Sequence, residues 1–593
     1  MTMIYEPPVK DMIFLVDEWL GLENINSLPG YHDLDVESLQ FILEEAGKFC
    51  SAELLTINRE GDELGATFID GVVKAPSSFR AAYAKYIEAG WTGIDADPEY
   101  GGQGLPKLVQ YFVDEMLGAT NLAFKLYSEL SHGAYHLLAN CAAAEIRQKF
   151  IPKMVAGVWS GTMCLTEAHC GTDLGLVRTR AEDHGDGTYS ITGSKIFITS
   201  GDHDLVENIV HLVLARLEDA PAGTHGISLF AVPRNWVNED GSLGDRNNVN
   251  TGSIEHKMGI KGSATCALNF DQAKGFLVGE ANRGLSAMFT MMNMERITVA
   301  MQGLGMADIA YQNALIYAQD RLQSKAPPPR PDESRAADPI IYQPEIKRQL
   351  LRIRSQVEGA RALAAYASLH VDIMEKTTDD SLRKNAEDTV ALLTPVVKSF
   401  LTDLGVSSAL SAQQVFGGHG YIREHGMEQL VRDSRITTLY EGTNEIQAAD
   451  LVGRKLTGRT GEFADRFLAK WQQLFDDTRD NDYMADYISP ASDALARLID
   501  TTRWMRERLR SDTAAASGAA VDYQRLFALS IIACLWAQIM ISIQGKNGLF
   551  YASKRKIALF YMDQVLPETV ALQQIITTGS DSLTDFEVTD FEL

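Results

Sequence analysis

The sequence predicts a mainly α protein with one β domain: an N-terminal helical domain, a middle β-barrel-like domain, a four-helix bundle and a C-terminal helical extension. Three observations carry this. Apolar residues recur at helical spacing toward both ends of the chain, whereas short alternating or wholly apolar runs between Gly and Asp turns fill about residues 161–280. A chain of 593 residues exceeds what one hydrophobic core supports. Beyond about residue 456 the helical stripes begin afresh. The expected division is an N-terminal arm at 1–35, a helical domain at 36–160, the β domain at 161–280, the helical bundle at 281–455 and the extension at 456–593.

The arm and first domain read as helical. Asp11 to Leu20 carries Met12, Ile13, Leu15, Val16 and Trp19 on a broad apolar face, and Asp35 is placed to cap a helix holding Leu39, Ile42, Leu43, Ala46 and Phe49. After the loop from Gly101 to Pro106, periodicity runs from Val113, breaks near Gly118, resumes at Leu122 and lasts to about Phe150. In the middle region, Thr188 to Thr192 follows the turn His184-Gly185-Asp186-Gly187, and Ile209 to Leu214 and Ile227 to Val232 are further strands. Long helices return from Met288 to about 323. Past the proline-rich surface excursion Pro327 to Pro339, they continue over roughly 343–376 and 380–416. The extension shows stripes at Phe463 to Phe475 and Leu495 to Leu509, an apolar run at Leu526 to Ile543 and a fourth helix over 545–563, before an acidic tail from Thr577.

Leu526 to Ile543 is long enough for a minimal membrane span. Ser530, Gln538 and Ser542 share one side of it, and Arg525 and Lys546 bracket it, so a buried core helix is expected and membrane contact is at most peripheral. A composition of 45% hydrophobic and 22% charged residues describes a globular protein in water. The formal net charge of -25 argues against nucleic acid and anionic membrane surfaces, though a local basic cluster can still hold an acidic ligand. The six cysteines lack C-x-x-C spacing and read as free thiols in a reducing compartment, without structural zinc. No metal is expected. The first residues show no targeting pattern, and a cytoplasmic location is the default.

Chemistry concentrates in Tyr440-Glu441-Gly442-Thr443-Asn444-Glu445-Ile446-Gln447, behind the apolar approach Ile436 to Leu439. Between an aromatic residue and a glycine, the Glu441 carboxylate is open to desolvation, which strengthens its hold on a proton; Gly442 lets a ligand approach the backbone. Such a glutamate suits removal of a weakly acidic C–H proton. The same octapeptide also reads as a plain helix start, with Thr443 capping and Glu445 and Gln447 complementing the dipole. Three other stretches accompany it: Cys164-Leu165-Thr166-Glu167-Ala168-His169-Cys170-Gly171-Thr172-Asp173, Lys195-Ile196-Phe197-Ile198-Thr199-Ser200-Gly201, and Gln413-Gln414-Val415-Phe416-Gly417-Gly418-His419-Gly420-Tyr421.

In that order, on a helix–β–helix chain, these motifs resemble the acyl-CoA dehydrogenase family over roughly residues 36–455. With its extra C-terminal helices the whole chain is similar to the roughly 600-residue bacterial branch that includes 3-methylmercaptopropionyl-CoA and broad-range fatty acyl-CoA dehydrogenases. The resemblance implies FAD as cofactor and α,β-dehydrogenation of an acyl-CoA thioester to the trans-2-enoyl-CoA. Thr166 would hydrogen-bond the flavin pyrimidine, and Gly171 and Thr172 would border flavin and thioester. Phe197, where tryptophan is commoner, would pack on the ring, and Thr199 would meet flavin N5. Ala168-His169 replaces the family's Pro-Gly, and His169 reads as a solvated loop histidine. Gln414, Gly417 and Gly418 match the segment meeting the adenosine half of FAD, commonly across a subunit interface.

Arg321 and Gln323 match a pyrophosphate-contacting segment, where a guanidinium fork suits the anion; Arg321 reads equally as a surface helix arginine. Thr443 and Glu445 match the diphosphate side of FAD. Glu441 matches the catalytic base, removing the α proton while the β hydrogen leaves as hydride to N5, and Gly442 lies along the substrate. In the family the backbone N–H of Glu441 helps hold the thioester oxygen, and one such donor is worth about 3 kcal/mol of barrier. Some members draw their base from the position that Glu295 occupies and lack a counterpart of Glu441; both are present here. Beside Arg296, Glu295 reads as ion-paired or exposed, with Arg296 steering toward CoA or the active-site mouth. The resemblance further implies a homodimer and electron-transfer flavoprotein as acceptor. An acyl-CoA oxidase using oxygen and a non-catalytic flavoprotein scaffold are the alternatives.

Overall fold

The computed structural model describes residues 3–31, 34–479 and 481–592. It divides into two compact units, Met1–Glu44 with Val299–Leu593, and Glu45–Thr298.

In the second unit the helix Lys107–Cys141 runs through the helical part and bends at Asn121, whose φ of -158° and ψ of 84° leave the helical region. The bend falls three residues after Gly118, where periodicity was expected to break. The Asn121 side chain accounts for its position: Oδ1 accepts from the Phe124 N–H (3.0 Å) and Nδ2 donates to Leu54 O (3.2 Å), replacing helical bonds. One feature corrects the all-helical expectation for this region. β1 (Thr67–Ile69) and β2 (Val72–Lys74) form a hairpin about Asp70-Gly71, both at positive φ, and Asp-Gly is a two-residue turn signal.

The strands that follow are β3 (Trp159–Cys164), β4 (Arg180–Asp183), β5 (Tyr189–Thr199), β6 (Asn208–Ala215), β7 (Ser228–Pro233), β8 (Asn235–Val237), β9 (Leu243–Arg246), β10 (Val249–Ile254) and β11 (Thr265–Val278). β8 and β9 pair as a separate ribbon; the others form one sheet in the order β3-β6-β7-β11-β5-β4, with β10 also on β11. β3 and β6 run parallel, and Arg180 of β4 makes a further parallel bridge to Arg216. Backbone bonds from Ala181 to Arg216 and from Ile196 to Thr166 turn the sheet back on itself, which gives the barrel-like form. Cys164, Ile191, Ile198, Val213, Phe230, Val232, Cys266 and Phe270 fill its core.

The first unit is helical. The expected helices are present as Gly284–Asp320, whose first turns belong to the second unit, Pro344–Lys376 and Asp380–Phe416, and those of the extension as Gly458–Thr478, Ala485–Ser511, Ala520–Ser542 and Leu549–Gln564, with a further helix at Glu568–Thr577. Gly303 and Gly405 let two bundle helices approach backbone to backbone: a Cβ on Gly303 would lie 2.3 Å from Leu401 O. Gly359 similarly receives Ile532 and Trp536 of the extension. A buried ion network centres on Asp11 of the arm, which accepts from Arg361 (2.7 Å) and Lys554, while Lys554 also reaches Glu358 (2.6 Å). Among the described residues two helices, Ala520–Ser542 and one within Asp380–Tyr421, are long and apolar enough to cross a membrane, but 78% and 83% of their apolar windows are buried inside the protein. This is how core helices behave.

Candidate active site

In the sheet-bearing unit, Thr166, Phe197 and Thr199 are brought together by backbone pairing. The Ile196 N–H donates to Thr166 O (2.9 Å), joining the end of β3 to β5. A β-bulge falls between Cys266 and Leu268 of β11, where the partners step from Ile198 to Lys195. The extra residue puts Phe197 at φ +60° and turns its ring outward, 59% exposed, while Ile198 stays in the core. Thr166 and Thr199 are half-buried, and their hydroxyls have no hydrogen-bond partner among the described residues. An exposed ring flanked by two open hydroxyls fits a planar, heteroatom-rich ring such as a flavin.

A buried charge pair fixes this arrangement. Lys195 Nζ, wholly enclosed, donates to Leu165 O (3.0 Å) and Glu167 Oε1 (2.9 Å), gripping the chain on both sides of Thr166. Glu167 also accepts from the Arg178 and Thr179 N–H groups and the Thr179 hydroxyl (2.6 Å). Burial opposes its ionisation, but Lys195 and these donors outweigh it and hold the carboxyl down at about 2. Glu167 and Cys170 exchange two backbone bonds (2.9 and 3.0 Å) around Ala168-His169, so a tight turn forms without the family's Pro-Gly. Gly171 and Thr172 lie exposed just beyond it. His169 is exposed too, within 2.9 Å of Leu176 O.

In the helical unit, Glu441 and Gly442 occupy consecutive left-handed positions, φ +57° and +84°. For a glutamate this costs about 1–3 kcal/mol and persists only where the surroundings enforce it. They do so from inside. Gln447 Nε2 donates to Glu441 O (3.1 Å), and the fully buried Lys398 donates to Gly442 O (3.0 Å) and Asn444 Oδ1 (2.9 Å). Asn444 Nδ2 donates in turn to Asp403 Oδ1 (2.8 Å). Glu441, Gly442 and Thr443 are half-buried. Thr443 caps the helix Asn444–Asp450 by accepting from the Ile446 N–H (3.4 Å), so the helix-start reading and the strained turn hold together. Glu445 is exposed, its carboxyl drawn below the usual range by its own N–H and the Thr443 hydroxyl.

Arg321 and Gln323, past the end of the helix Gly284–Asp320, are exposed and their side chains have no partner among the described residues. Tyr317 links them to the glycine segment: its ring stacks on Phe416 (4.1 Å, 16°) and its hydroxyl lies 2.8 Å from His419 Nδ1. Gly417 has φ +57°, and among the described residues no atom lies within 4 Å of where a Cβ would stand on it or on Gly418, which leaves room for a ligand against this backbone. Gln414 lines a cleft of about 440 Å³ with Arg348, Arg352, Ser407, Ser408 and Ser411. Both arginines are already paired, Arg348 with Glu345 of the same cleft (2.7 Å) and Arg352 with Glu568 (3.0 Å), so the serine hydroxyls are its neutral donors.

Three expectations need correction. Of the two alternatives for Glu295 the exposed one falls: it is 2% accessible, and its charge adds to those of Asp114 and Glu129 in raising Lys125 against the cost of burial, in keeping with the ion-paired alternative. Arg296 is likewise buried, 7% accessible, with Nη1 on Asn293 Oδ1 (3.2 Å), and presents no charge at an open mouth. The expectation about metals passed over His132 and His136, four residues apart on one helix and grouped with Asp95. There Lys107 Nζ lies 2.8 Å from Asp95 Oδ2 and 2.9 Å from His136 Nε2, where a cation would stand. The buried lysines 195 and 398 escaped sequence reasoning because lysine is ordinarily a surface residue.

Comparison with known proteins agrees with this geometry. Residues 37–158, 162–273 and 282–456 match the N-terminal, middle and C-terminal domains of acyl-CoA dehydrogenase, and 462–587 match the family described as acetyl-CoA dehydrogenase C-terminal like. A 3-methylmercaptopropionyl-CoA dehydrogenase of Ruegeria pomeroyi is 37% identical, over 98% of this chain and 99% of the relative. A butyryl-CoA dehydrogenase of Syntrophomonas wolfei is 33% identical, over 97% of each. The fold is shared at 19% identity with Caenorhabditis elegans ACDH-11, with a TM-score of 0.75 over 98% of this chain and 97% of that one. Full-length similarity of this degree means that this protein belongs to the acyl-CoA dehydrogenase family and is an FAD-dependent oxidoreductase.

Proposed function

We propose that this enzyme converts a short acyl-CoA, 3-methylmercaptopropionyl-CoA or a straight-chain thioester of similar size, to the trans-2-enoyl-CoA, with Glu441 as the base that removes the α proton. One observation carries the reading: Glu441 is held in a left-handed conformation ahead of a left-handed glycine, pinned by Lys398 and Gln447. Backbone strain of this kind is retained where a side chain must be aimed. FAD, when bound, supplies the acceptor for the β hydrogen. Thr166, Phe197 and Thr199 hold its ring system, with Gly171 and Thr172 alongside, and Arg321, Gln323, Gln414, Gly417, Gly418, Thr443 and Glu445 serve its nucleotide half. The chain contributes the proton acceptor and the backbone N–H of Glu441, which steadies the thioester oxygen as negative charge develops there. Gly442 lies along the substrate in this reading, and a Cβ there would press on Gln447 Nε2 at 2.6 Å.

The substrate range is supported by relatives named for 3-methylmercaptopropionyl-CoA and butyryl-CoA. The reading extends to a cytoplasmic homodimer that passes electrons to electron-transfer flavoprotein. It is tested by anaerobic titration of the purified holoenzyme with a chain-length series that includes 3-methylmercaptopropionyl-CoA. Flavin bleaching should be fastest with the methylthio and four- to six-carbon substrates. Bleaching confined to long chains contradicts the substrate class, and stoichiometric peroxide in air would mark an oxidase.

A further inference from the structure

We propose that Lys398 is a positioning residue for the dehydrogenation, holding the Glu441–Gly442 turn in its left-handed form so that the carboxylate meets the α carbon in line. The inference rests on Glu441 being the base. Lys398 lies in the interior of the helix Asp380–Phe416 and is 0% accessible. An ammonium there loses its hydration, and an ammonium can only donate. Two donors are committed to one short stretch: Gly442 O at 3.0 Å and Asn444 Oδ1 at 2.9 Å. The carbonyl it grips belongs to the second of the two left-handed residues, one peptide beyond Glu441.

The neighbours of this grip are ordered. Thr402 Oγ1 donates to Lys398 O (2.7 Å) and lies 3.1 Å from Asn444 Nδ2, and Asn444 is fixed by Asp403 Oδ1 (2.8 Å) and Ser399 O (3.3 Å). Gln447 supplies neutral bonds to Glu441 O and Gly442 O (3.1 and 3.4 Å). Lys398 supplies the charge-assisted one, the stronger kind. Removing that charge leaves the turn with weaker restraint against relaxing to negative φ, which swings the Glu441 side chain away from its aim. A misplacement of about 1 Å costs roughly 100-fold in rate without abolishing binding.

The test compares wild type, Lys398→Met, Lys398→Gln and Glu441→Gln holoenzymes by anaerobic stopped-flow flavin reduction, with FAD content measured for each. The rate constant at saturating acyl-CoA should fall about 30-fold in Lys398→Met, roughly 2 kcal/mol of barrier, and less in Lys398→Gln, which can still donate. The acyl-CoA dissociation constant should stay within about threefold, and the isotope effect from α-deuterated substrate should rise because proton removal becomes more limiting. A Lys398→Met rate within about threefold of wild type overturns the proposal. So does a loss seen only in substrate affinity, or failure of both lysine variants to retain FAD, which would make Lys398 a folding residue. If only Lys398→Met fails to hold FAD, Lys398→Gln decides on the same criteria. If Glu441→Gln still bleaches, it is the base assignment that fails. If Glu441→Gln is inert while Lys398→Met is fast, only the lysine inference falls.

Discussion

The two units present their site residues by different means. In the sheet-bearing unit, Thr166, Phe197 and Thr199 sit on paired strands, and a register shift turns one aromatic ring outward. In the helical unit, Glu441 sits on a turn with no strand partner, in a conformation that its own side chain disfavours. Each arrangement is anchored by a wholly enclosed lysine. Lys195 reaches a carboxylate and a carbonyl; Lys398 reaches a carbonyl and an amide oxygen. A ladder spreads its restraint over many backbone bonds, whereas the turn depends on two or three side chains. The first suits a platform for a bound ring, and the second suits aiming one reactive group.

Breaking the strand-borne anchor should have the larger effect on stability. Glu167→Gln strands the Lys195 ammonium in the interior, which costs about 3 kcal/mol or more. The Thr166 end of β3 then loosens, and FAD affinity falls with it. The carboxyl is held at about 2 in the folded protein, below the ordinary glutamate value of 4.5. Its stabilisation is therefore complete above about pH 4.5 and is lost as pH drops toward 2. Thermal unfolding of wild type and variant should differ most near pH 7 and converge as the medium is acidified below 4.5. A gap independent of pH would show that the carboxylate is not the stabilising group.

Stressing the turn should act on rate more than on stability. Gly442→Ala places a Cβ at φ +84°, 2.6 Å from Gln447 Nε2. The left-handed position costs about 1–2 kcal/mol, so flavin reduction should slow about tenfold while FAD and the melting temperature are largely retained. If Gly442→Ala instead releases FAD, as a disrupted platform would, the distinction between the two anchors fails.

Much of the fold was legible because periodicity is strong in long helices: Pro344–Lys376 and Asp380–Phe416 were anticipated almost to the residue. The hairpin at Asp70-Gly71 was missed because its strands are three residues each and lie between helical patterns. Residues 188–192 were expected as a hairpin arm with the Lys195 to Gly201 stretch just past it; the structure joins the two in one strand, β5, with a bulge at Phe197. At the candidate site, residue types were readable and their supports were not. Left-handed backbone at a glutamate has no sequence signature, since Gly, Asn and Asp are the residues that favour it. A lysine inside Val396-Val397-Lys398-Ser399-Phe400 looks like an interruption of an apolar face, and only packing shows it turned inward. Glu295 beside Arg296 read as ion-paired or exposed; both residues are buried, and adjacent residues on a helix do not face each other, so sequence neighbourhood did not tell where either side chain goes.

That last point makes Glu295 the natural rival to Glu441, and one measurement separates them. Glu441→Gln and Glu295→Gln holoenzymes, both carrying FAD, are mixed anaerobically with acyl-CoA and flavin absorbance is followed. The account predicts that Glu441→Gln leaves the flavin oxidised while Glu295→Gln still bleaches it. Bleaching by Glu441→Gln, with its loss in Glu295→Gln, would contradict it.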